Sequence, residues 1–167
     1  MGKDYFSRLW HQKSAEWISK VITNFENIHR VDTDYLNGEI EFFFKKFSYE
    51  DTLEGQWYNE YISTDESKKA KFEAITHNAK ITVDKVSFLP KSLKYSVALI
   101  SSIVALVIAL CVGTTAFRAL IICAFVGIIA YYFADTNLIR TNKKRSKALT
   151  DDIKRQLDEI YTNLKLT

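Results

Sequence analysis

The sequence predicts an all-α membrane protein, in which a two-helix transmembrane hairpin has cytoplasmic amphipathic helices before and after it. Two observations support this fold class. The apolar stretches 96–113 and 119–134 are each long enough, with their flanking residues, to cross the roughly 30 Å hydrocarbon core of a bilayer as a helix. Only the short link 114–118 separates them. Because so short a link cannot contain a folded domain, both helices are expected to enter and leave the membrane on the same side.

The predicted organisation has three parts. Residues 1–90 form an N-terminal cytoplasmic helical region, residues 91–136 form the hairpin with spans at about 95–113 and 117–135, and residues 137–167 form a C-terminal cytoplasmic amphipathic helix. The mean hydropathy of the chain is only −0.12, because the apolar residues are concentrated in the hairpin. Cys111 and Cys123 lie inside the spans, so they are interpreted as small packing residues and not as disulfide partners.

The basic residues predict the orientation of the hairpin. Lysine and arginine near the ends of a span are retained on the cytoplasmic side of a membrane. The link between the spans has one such residue, Arg118, for which plain anchoring is favoured over a gating or lipid-binding role. The outer flanks of the two spans have many more, and these are the predicted membrane-surface residues: Lys91, Lys94, Arg140, Lys143, Lys144, Arg145 and Lys147. Both termini are therefore expected in the cytoplasm.

Small residues recur at helical spacing in both spans, and they predict how the spans pack. Helices in lipid associate through close approach, which small side chains allow. The predicted packing residues are Ser102, Ala105, Ala109 and Gly113 in the first span, and Ala119, Cys123, Gly127 and Ala130 in the second. These two sets of small residues either pack only against each other within one hairpin or also form contacts between neighbouring copies of the chain. Neither span contains an acidic or amide side chain, so a dedicated ion channel is not supported.

The N-terminal region shows a helical pattern with one ambiguous stretch. An amphipathic helix is expected over about 3–29, with an apolar face formed by Phe6, Trp10, Trp17, Val21, Phe25 and Ile28. Residues 31–50 fit either a helix or a β-hairpin turning at Asn37-Gly38, and we favour the helix. Gly55 is expected to interrupt the chain.

Two further amphipathic helices are predicted beside the hairpin. The first begins at Ser63 or Thr64 and runs to about Phe88, before a joint at Pro90. The second covers about 146–166, with Leu149, Ile153, Leu157, Ile160 and Leu164 on one face. Their apolar faces are expected to meet in a cytoplasmic bundle. In the alternative, the helices lie flat on the membrane, which would suit Trp10 and Trp17.

The chain shows no pattern typical of catalysis, cofactor binding or a metal site. His11, His29 and His77 are scattered, and there is no glycine-rich phosphate loop. The acidic side chains between Glu39 and Glu54 are interpreted as a solvated surface. No basic groove beside Trp57, Tyr58 and Tyr61 favours a nucleic acid, so these side chains are interpreted as core packing or as a protein contact. We take them as the predicted contact with a protein partner. The protein is therefore not expected to be an enzyme.

The segment 65–167, a helix followed by two closely spaced spans and a further helix, resembles the small two-span effector modules of bacterial antiphage systems of the SLATT type. The resemblance implies a protein of the inner membrane that forms homo-oligomers and perturbs the bilayer when triggered by a partner. This chain departs from the simplest pattern by its long aromatic N-terminal arm. It shows no nucleotide-sensing domain, so a sensor would be a separate protein. The alternative is a non-toxic membrane binding protein, either an immunity or exclusion protein or the membrane-anchoring subunit of a complex.

Overall fold

The computed structural model describes residues 2, 4–28, 30–84 and 86–164, and all regular secondary structure within these ranges is helical. The helices are α1 (Tyr5–Ile28), α2 (Thr33–Lys45) with a 3-10 turn at Lys46–Ser48, α3 (Leu53–Tyr61), α4 (Glu66–Asn78), α5 (Leu93–Cys111) and α6 (Ala116–Leu164). The contacts divide the chain into two compact units. We call Met1–Ser87 with Ser146–Thr167 the aromatic unit, and Phe88–Arg145 the hairpin unit. The all-α fold and the pair of apolar helices are confirmed.

The aromatic unit is built around the apolar face of α1. Phe6, Trp10, Trp17, Val21 and Phe25 recur at helical spacing, and all five are buried. Trp10 and Trp17 are only 0% and 1% exposed, so the alternative in which they anchor α1 flat on a membrane is wrong. The predicted face ends one turn early, because Ile28 is 60% exposed. The predicted end residues 3 and 29 lie outside the described part of the chain.

Rings from α2, α3 and α4 complete this core. The ring centroids of Trp17 and Phe43 are 5.5 Å apart with perpendicular planes, and Phe6 stacks on Trp57 at 5.5 Å. Phe72 of α4 meets Phe47 at 5.6 Å. Tilted and edge-to-face pairs of this kind are favourable beyond the burial of their area. The aromatic arm therefore forms a packed core and not an exposed surface.

Within residues 31–50, positions 33–48 are helical, which confirms the helix over the β-hairpin, and a local cap explains where this helix begins. The Asp32 carboxylate accepts a hydrogen bond from the Tyr35 backbone N–H at 2.9 Å, at the N-terminus of α2. Asn37 and Gly38 lie inside α2 and form no hairpin turn. The side chain of Asn37 instead bonds a distant part of the chain, which removes it from local turn formation.

The expectation that Gly55 interrupts the chain is wrong. Gly55 lies in the first turn of α3 and is buried, and a Cβ atom there would overlap the Tyr49 carbonyl group. Thr52 shapes this corner: its hydroxyl donates to the Tyr49 and Lys46 carbonyl oxygens at 2.7 Å and accepts from the Gly55 N–H at 3.0 Å. The glycine is needed for the close approach of the preceding backbone.

The helix predicted to reach Phe88 ends at Asn78, so its predicted C-terminus is wrong. Residues 79–90, which we call the strap, have no helical structure where they are described. Side-chain amides bind the strap backbone in pairs of hydrogen bonds. In the aromatic unit, Asn37 bonds Ile81 N and O at 2.7 and 3.1 Å, and Gln156 bonds Thr82 N and O at 3.0 and 2.8 Å. These bonds replace those that a helix would have supplied.

The prediction of a separate C-terminal helix is also wrong, because α6 continues without a break for 49 residues. No glycine or proline occurs between positions 128 and 164 that would end it. The apolar face predicted for the C-terminal part is present: Leu149, Ile153, Leu157 and Leu164 are buried, and Ile160 is half-buried. The Tyr161 hydroxyl donates to Ser7 Oγ at 2.8 Å, which joins this part of α6 to α1.

Candidate membrane hairpin

Small side chains hold α5 and α6 together within the hairpin unit. Ala109 and Ala119 are only 6% and 0% exposed. A Cβ atom added at Gly127 would overlap the Ser102 hydroxyl, and it would lie 3.8 Å from the Ala98 carbonyl oxygen. Such close approach is how helices associate where water exclusion supplies no driving force. Ser102, Ala109, Ala119 and Gly127, all predicted packing residues, thus lie inside the helix pair or at its contact.

The remaining predicted packing residues lie at different positions around the hairpin. Ala105, Cys123 and Ala130 are half-buried. Gly113 lies in the turn between the helices, where it is exposed, with φ at +79° and no atom within 4 Å of an added Cβ. This left-handed conformation favours glycine. Thr114, which we did not single out, closes the turn by donating its hydroxyl to the Ala109 carbonyl oxygen at 2.6 Å.

The outward surface of the hairpin is apolar. Both helices are long and apolar enough to cross a membrane by length and composition, with mean hydropathies of 2.2 and 2.0 over their most apolar 18 residues. Only 6% of each such window is buried, so neither has the burial expected of a core helix in a soluble protein. The large exposed side chains include Leu99, Ile103, Val107 and Leu110 on α5, and Leu120, Phe125, Ile128 and Phe133 on α6.

An ion pair joins the two helices at the end of the hairpin that is remote from the turn. Lys94 Nζ lies 2.8 Å from Asp135 Oδ1, and it also lies over the rings of Tyr95 and Tyr131 at 5.5 and 5.0 Å from their centroids. The sequence predicted Lys94 at the membrane surface. The structure places its amine between the two helices, where a carboxylate and two aromatic faces compensate its charge.

An amide also binds the strap at this end of the hairpin. The Asn142 side chain accepts from the Leu89 N–H at 3.0 Å and donates to the Leu89 carbonyl oxygen at 3.2 Å. Pro90 follows directly, and its carbonyl oxygen accepts from the Leu93 N–H at 3.0 Å as α5 begins. The proline thus marks the joint before the first span, as its position predicted.

The other predicted membrane-surface residues are on the outside of the molecule. Lys91, Arg140, Lys143, Lys144 and Lys147 are exposed, and Arg145 is half-buried. The hairpin unit, Phe88–Arg145, contains seven lysines and arginines and one acidic residue, Asp135, so its net charge is +6. Since the whole chain has a net charge of +3, the aromatic unit has a net charge of −3.

The predicted partner-contact residues belong to the aromatic unit and are less accessible than their sequence position indicated. Trp57 is only 5% exposed and packs in the core. Tyr58 and Tyr61 are half-buried, and the Tyr58 hydroxyl lies 3.4 Å from Glu73 Oε1. Burial and the nearby Glu73 carboxylate raise the pKa of Tyr58 above its ordinary value. Any contact made here would involve the two tyrosines.

A cleft of about 480 Å³ opens in the aromatic unit, and the sequence did not reveal it. Charged and polar side chains line it together with apolar ones, and the lining includes Glu41, Glu73, Lys45, His77, Lys80, Phe44 and Ala79. The charges of both signs leave it no clear preference for an anion or a cation. Among the described residues, no three His, Cys, Asp or Glu side chains come together as metal ligands.

Comparisons with protein-family models, with curated proteins and with solved structures gave no match to this chain.

Proposed function

We propose that this protein is a membrane effector that inserts its hairpin across the bacterial inner membrane, with both termini in the cytoplasm. One observation supports the insertion above all others: small and hydroxyl-bearing side chains face the interior of the helix pair, while leucine, isoleucine and phenylalanine face outward. This is the reverse of a helix pair that folds in water. Large continuous apolar surfaces of this kind mark sites of membrane or protein contact.

In this proposal the hairpins of several copies associate and perturb the bilayer when a partner signals infection, as the resemblance to SLATT modules implies. A groove of about 620 Å³ on the hairpin surface supports a contact beyond the hairpin itself. It is lined by apolar side chains such as Val104 and Ile108, together with the small residues Ala105 and Ala109. Ser101 also lies in this groove.

A second function is a membrane-anchoring subunit, and the packing of the small residues favours it. Ala119 and Gly127 are already used inside one hairpin, so they are not free to form a contact between copies. In this alternative the hairpin holds the aromatic unit at the membrane, and a partner docks on that unit without any change in permeability.

The test combines insertion with a matched pair of groove variants. The chain should stay in the membrane fraction after carbonate washing, and reporters fused at either terminus should be active only in the cytoplasm. The membrane potential should collapse when the chain is expressed in cells challenged with phage. Val104→Trp fills the groove and should abolish the collapse, whereas Leu99→Trp changes an exposed side chain outside the groove lining and should not.

The outcomes separate the two functions. An unchanged membrane potential in challenged cells, together with co-purification of a partner, would select the anchoring subunit. Equal activity of Val104→Trp and Leu99→Trp would exclude the groove as the contact between copies. Release of the chain by carbonate would reject both functions, because both depend on the inserted hairpin.

A further inference from the structure

We infer that the hairpin has a binding surface for anionic phospholipid headgroups, formed by Arg140, Lys143 and Lys144 on α6, which we call the basic face. This inference rests on the proposed insertion of the hairpin, and it names the lipid class that the hairpin would recognise. All three side chains are exposed. At about 100° of rotation per residue, they lie within roughly 100° of one another around α6. They therefore point to the same side of the helix.

The basic face lies just beyond the headgroup layer along α6. The apolar part of α6 ends with Tyr131, Tyr132 and Phe133, which are side chains of the type found at membrane interfaces. At about 1.5 Å per residue, Arg140 to Lys144 follow Asp135 by about 8 to 14 Å. The polar layer on each side of a bilayer core is roughly 5 to 8 Å thick. Flexible arginine and lysine side chains just outside this layer can extend back toward the membrane and reach lipid phosphates.

The charges of the hairpin unit are not neutralised from within the unit. Its one acidic residue is Asp135, which is paired with Lys94. In the described part of the chain, no ion pair is found for Arg140, Lys143 or Lys144. Three neighbouring cations that form no ion pair within the hairpin unit create a local positive potential, and its complement at a membrane surface is an acidic lipid.

Within the hairpin unit, the contact of α6 with Leu89 is on a different side of the helix. The Asn142 amide bonds Leu89, so Leu89 lies on the side of α6 to which Asn142 points. From the helical repeat, Arg140 and Lys144 point roughly 160° away from Asn142, and Lys143 about 100° away. The basic face is therefore turned away from the Leu89 contact, and its three side chains are exposed.

The test measures lipid preference in the purified full-length chain. The protein in neutral detergent is mixed with phosphatidylglycerol and phosphatidylcholine of matched acyl chains, and the retained lipids are counted by native mass spectrometry. Each cation near an acidic membrane surface favours binding by about five-fold, so the Arg140→Gln, Lys143→Gln, Lys144→Gln variant should lose about 100-fold of the preference for phosphatidylglycerol.

Two control variants test whether a loss of lipid preference comes from the basic face itself, from the lower total charge or from misfolding. The Lys71→Gln, Lys80→Gln, Lys154→Gln variant removes three exposed charges from the aromatic unit, and it should keep the wild-type preference. The Arg140→Lys, Lys143→Arg, Lys144→Arg variant keeps the charges and should also keep it. Loss of the preference in all three variants would show that it does not belong to the basic face.

The remaining outcomes distinguish this inference from the proposed function. Carbonate-resistant insertion into phosphatidylcholine vesicles with no preference for phosphatidylglycerol would overturn the lipid site and leave the inserted hairpin intact. Failure to insert into any vesicle would overturn the proposed function itself. Binding of an RNA or DNA oligonucleotide that depends on the basic face, without lipid preference, would assign these residues to a nucleic acid instead.

Discussion

Gly55 and Gly127 are both glycines at close approaches, but they differ in what a side chain would meet. At Gly55 an added Cβ overlaps a backbone carbonyl, that of Tyr49, which cannot turn aside. We expect Gly55→Ala to lower the free energy of unfolding of the aromatic unit by about 1 to 3 kcal/mol or more. Gly38→Ala is the matched control: nothing lies within 4 Å of its Cβ, and it should raise helix stability by up to about 1 kcal/mol. Denaturant unfolding measures the change in stability for both variants. Equal changes would contradict the close contact between Gly55 and the Tyr49 carbonyl group.

At Gly127 the obstacle is the Ser102 hydroxyl, which is the end of a side chain and can rotate away. We therefore expect Gly127→Ala to destabilise the hairpin less than Gly55→Ala destabilises the aromatic unit. Ser102→Ala removes the obstructing oxygen, so the double variant should recover the lost thermal stability in detergent. If Ser102→Ala and Gly127→Ala were strictly additive, the two residues would not be in contact in the folded hairpin.

Glu16 offers a test of electrostatics on the surface of α1. Hydrogen bonds and ion pairs from Lys13 and Lys20, at 2.8 and 2.9 Å, lower the pKa of Glu16 from 4.5 to about 2. Because folding lowers this pKa, the ionised carboxylate stabilises the fold above about pH 4.5, and that contribution is lost as the pH falls toward 2. A carboxyl titration by NMR should place the midpoint well below 4.5, and Lys13→Gln with Lys20→Gln should raise it. A wild-type midpoint near 4.5 would contradict the pairing.

At the scale of elements, the strap depends on amide side chains that a sequence pattern does not reveal. Asn142→Ala removes both hydrogen bonds to Leu89, which exposes the Leu89 amide to exchange. Losing about 1 to 3 kcal/mol of hydrogen-bond stabilisation should make hydrogen exchange at the Leu89 amide about 5- to 150-fold faster. Mass spectrometry of peptides from the strap measures this exchange. Asn137→Ala is the control, since that amide donates only to Phe133 of its own helix. Unchanged exchange in Asn142→Ala would show that the strap is held by other contacts.

The elements that could be predicted from sequence are those whose burial is periodic. The α1 face was predictable because its buried residues recur every three to four positions. The two spans were predictable because they are apolar over their whole length. The strap was not, because apolar residues at positions 79, 83 and 86 continue the helical spacing while Asn37 and Gln156 stabilise an extended backbone from far away in sequence. The continuity of α6 was hidden for the opposite reason: a polar stretch looked like a joint, although nothing in it ends a helix.

For the candidate membrane hairpin, the sequence predicted which residue types take part better than it predicted where each residue lies. Ala119 and Gly127 lie at the helix contact, but Gly113 serves the turn, since spacing alone does not show where the helix stops. Lys94 looked like one more surface cation, because its partner Asp135 is 41 positions away in the chain. The sequence indicated Trp57 as a contact residue, but its ring packs on Phe6 and Phe47 in the core of the aromatic unit.

At the scale of the whole molecule, the two compact units should respond separately to core damage. Trp17→Ala removes a fully buried side chain and should cost the aromatic unit about 3 to 5 kcal/mol, which limited proteolysis would detect. Phe42→Ala is the matched aromatic control, since Phe42 is exposed, and its cost should be within about 0.5 kcal/mol. Both variants should remain resistant to carbonate extraction, because neither change falls in the hairpin unit. Loss of Trp17→Ala from the membrane fraction would show that the units depend on each other.

The turn at Gly113 also limits which signals could reach such a protein from outside the membrane. Only positions 112–115 separate α5 from α6, and one of them is a glycine without a side chain. With the hairpin across a bilayer, a turn of four residues offers an extracellular molecule very little surface to bind. In the proposed arrangement, a triggering signal would therefore have to reach the protein from the cytoplasm or through the lipid. Antibodies or labels applied to intact cells should accordingly react with few sites on the protein.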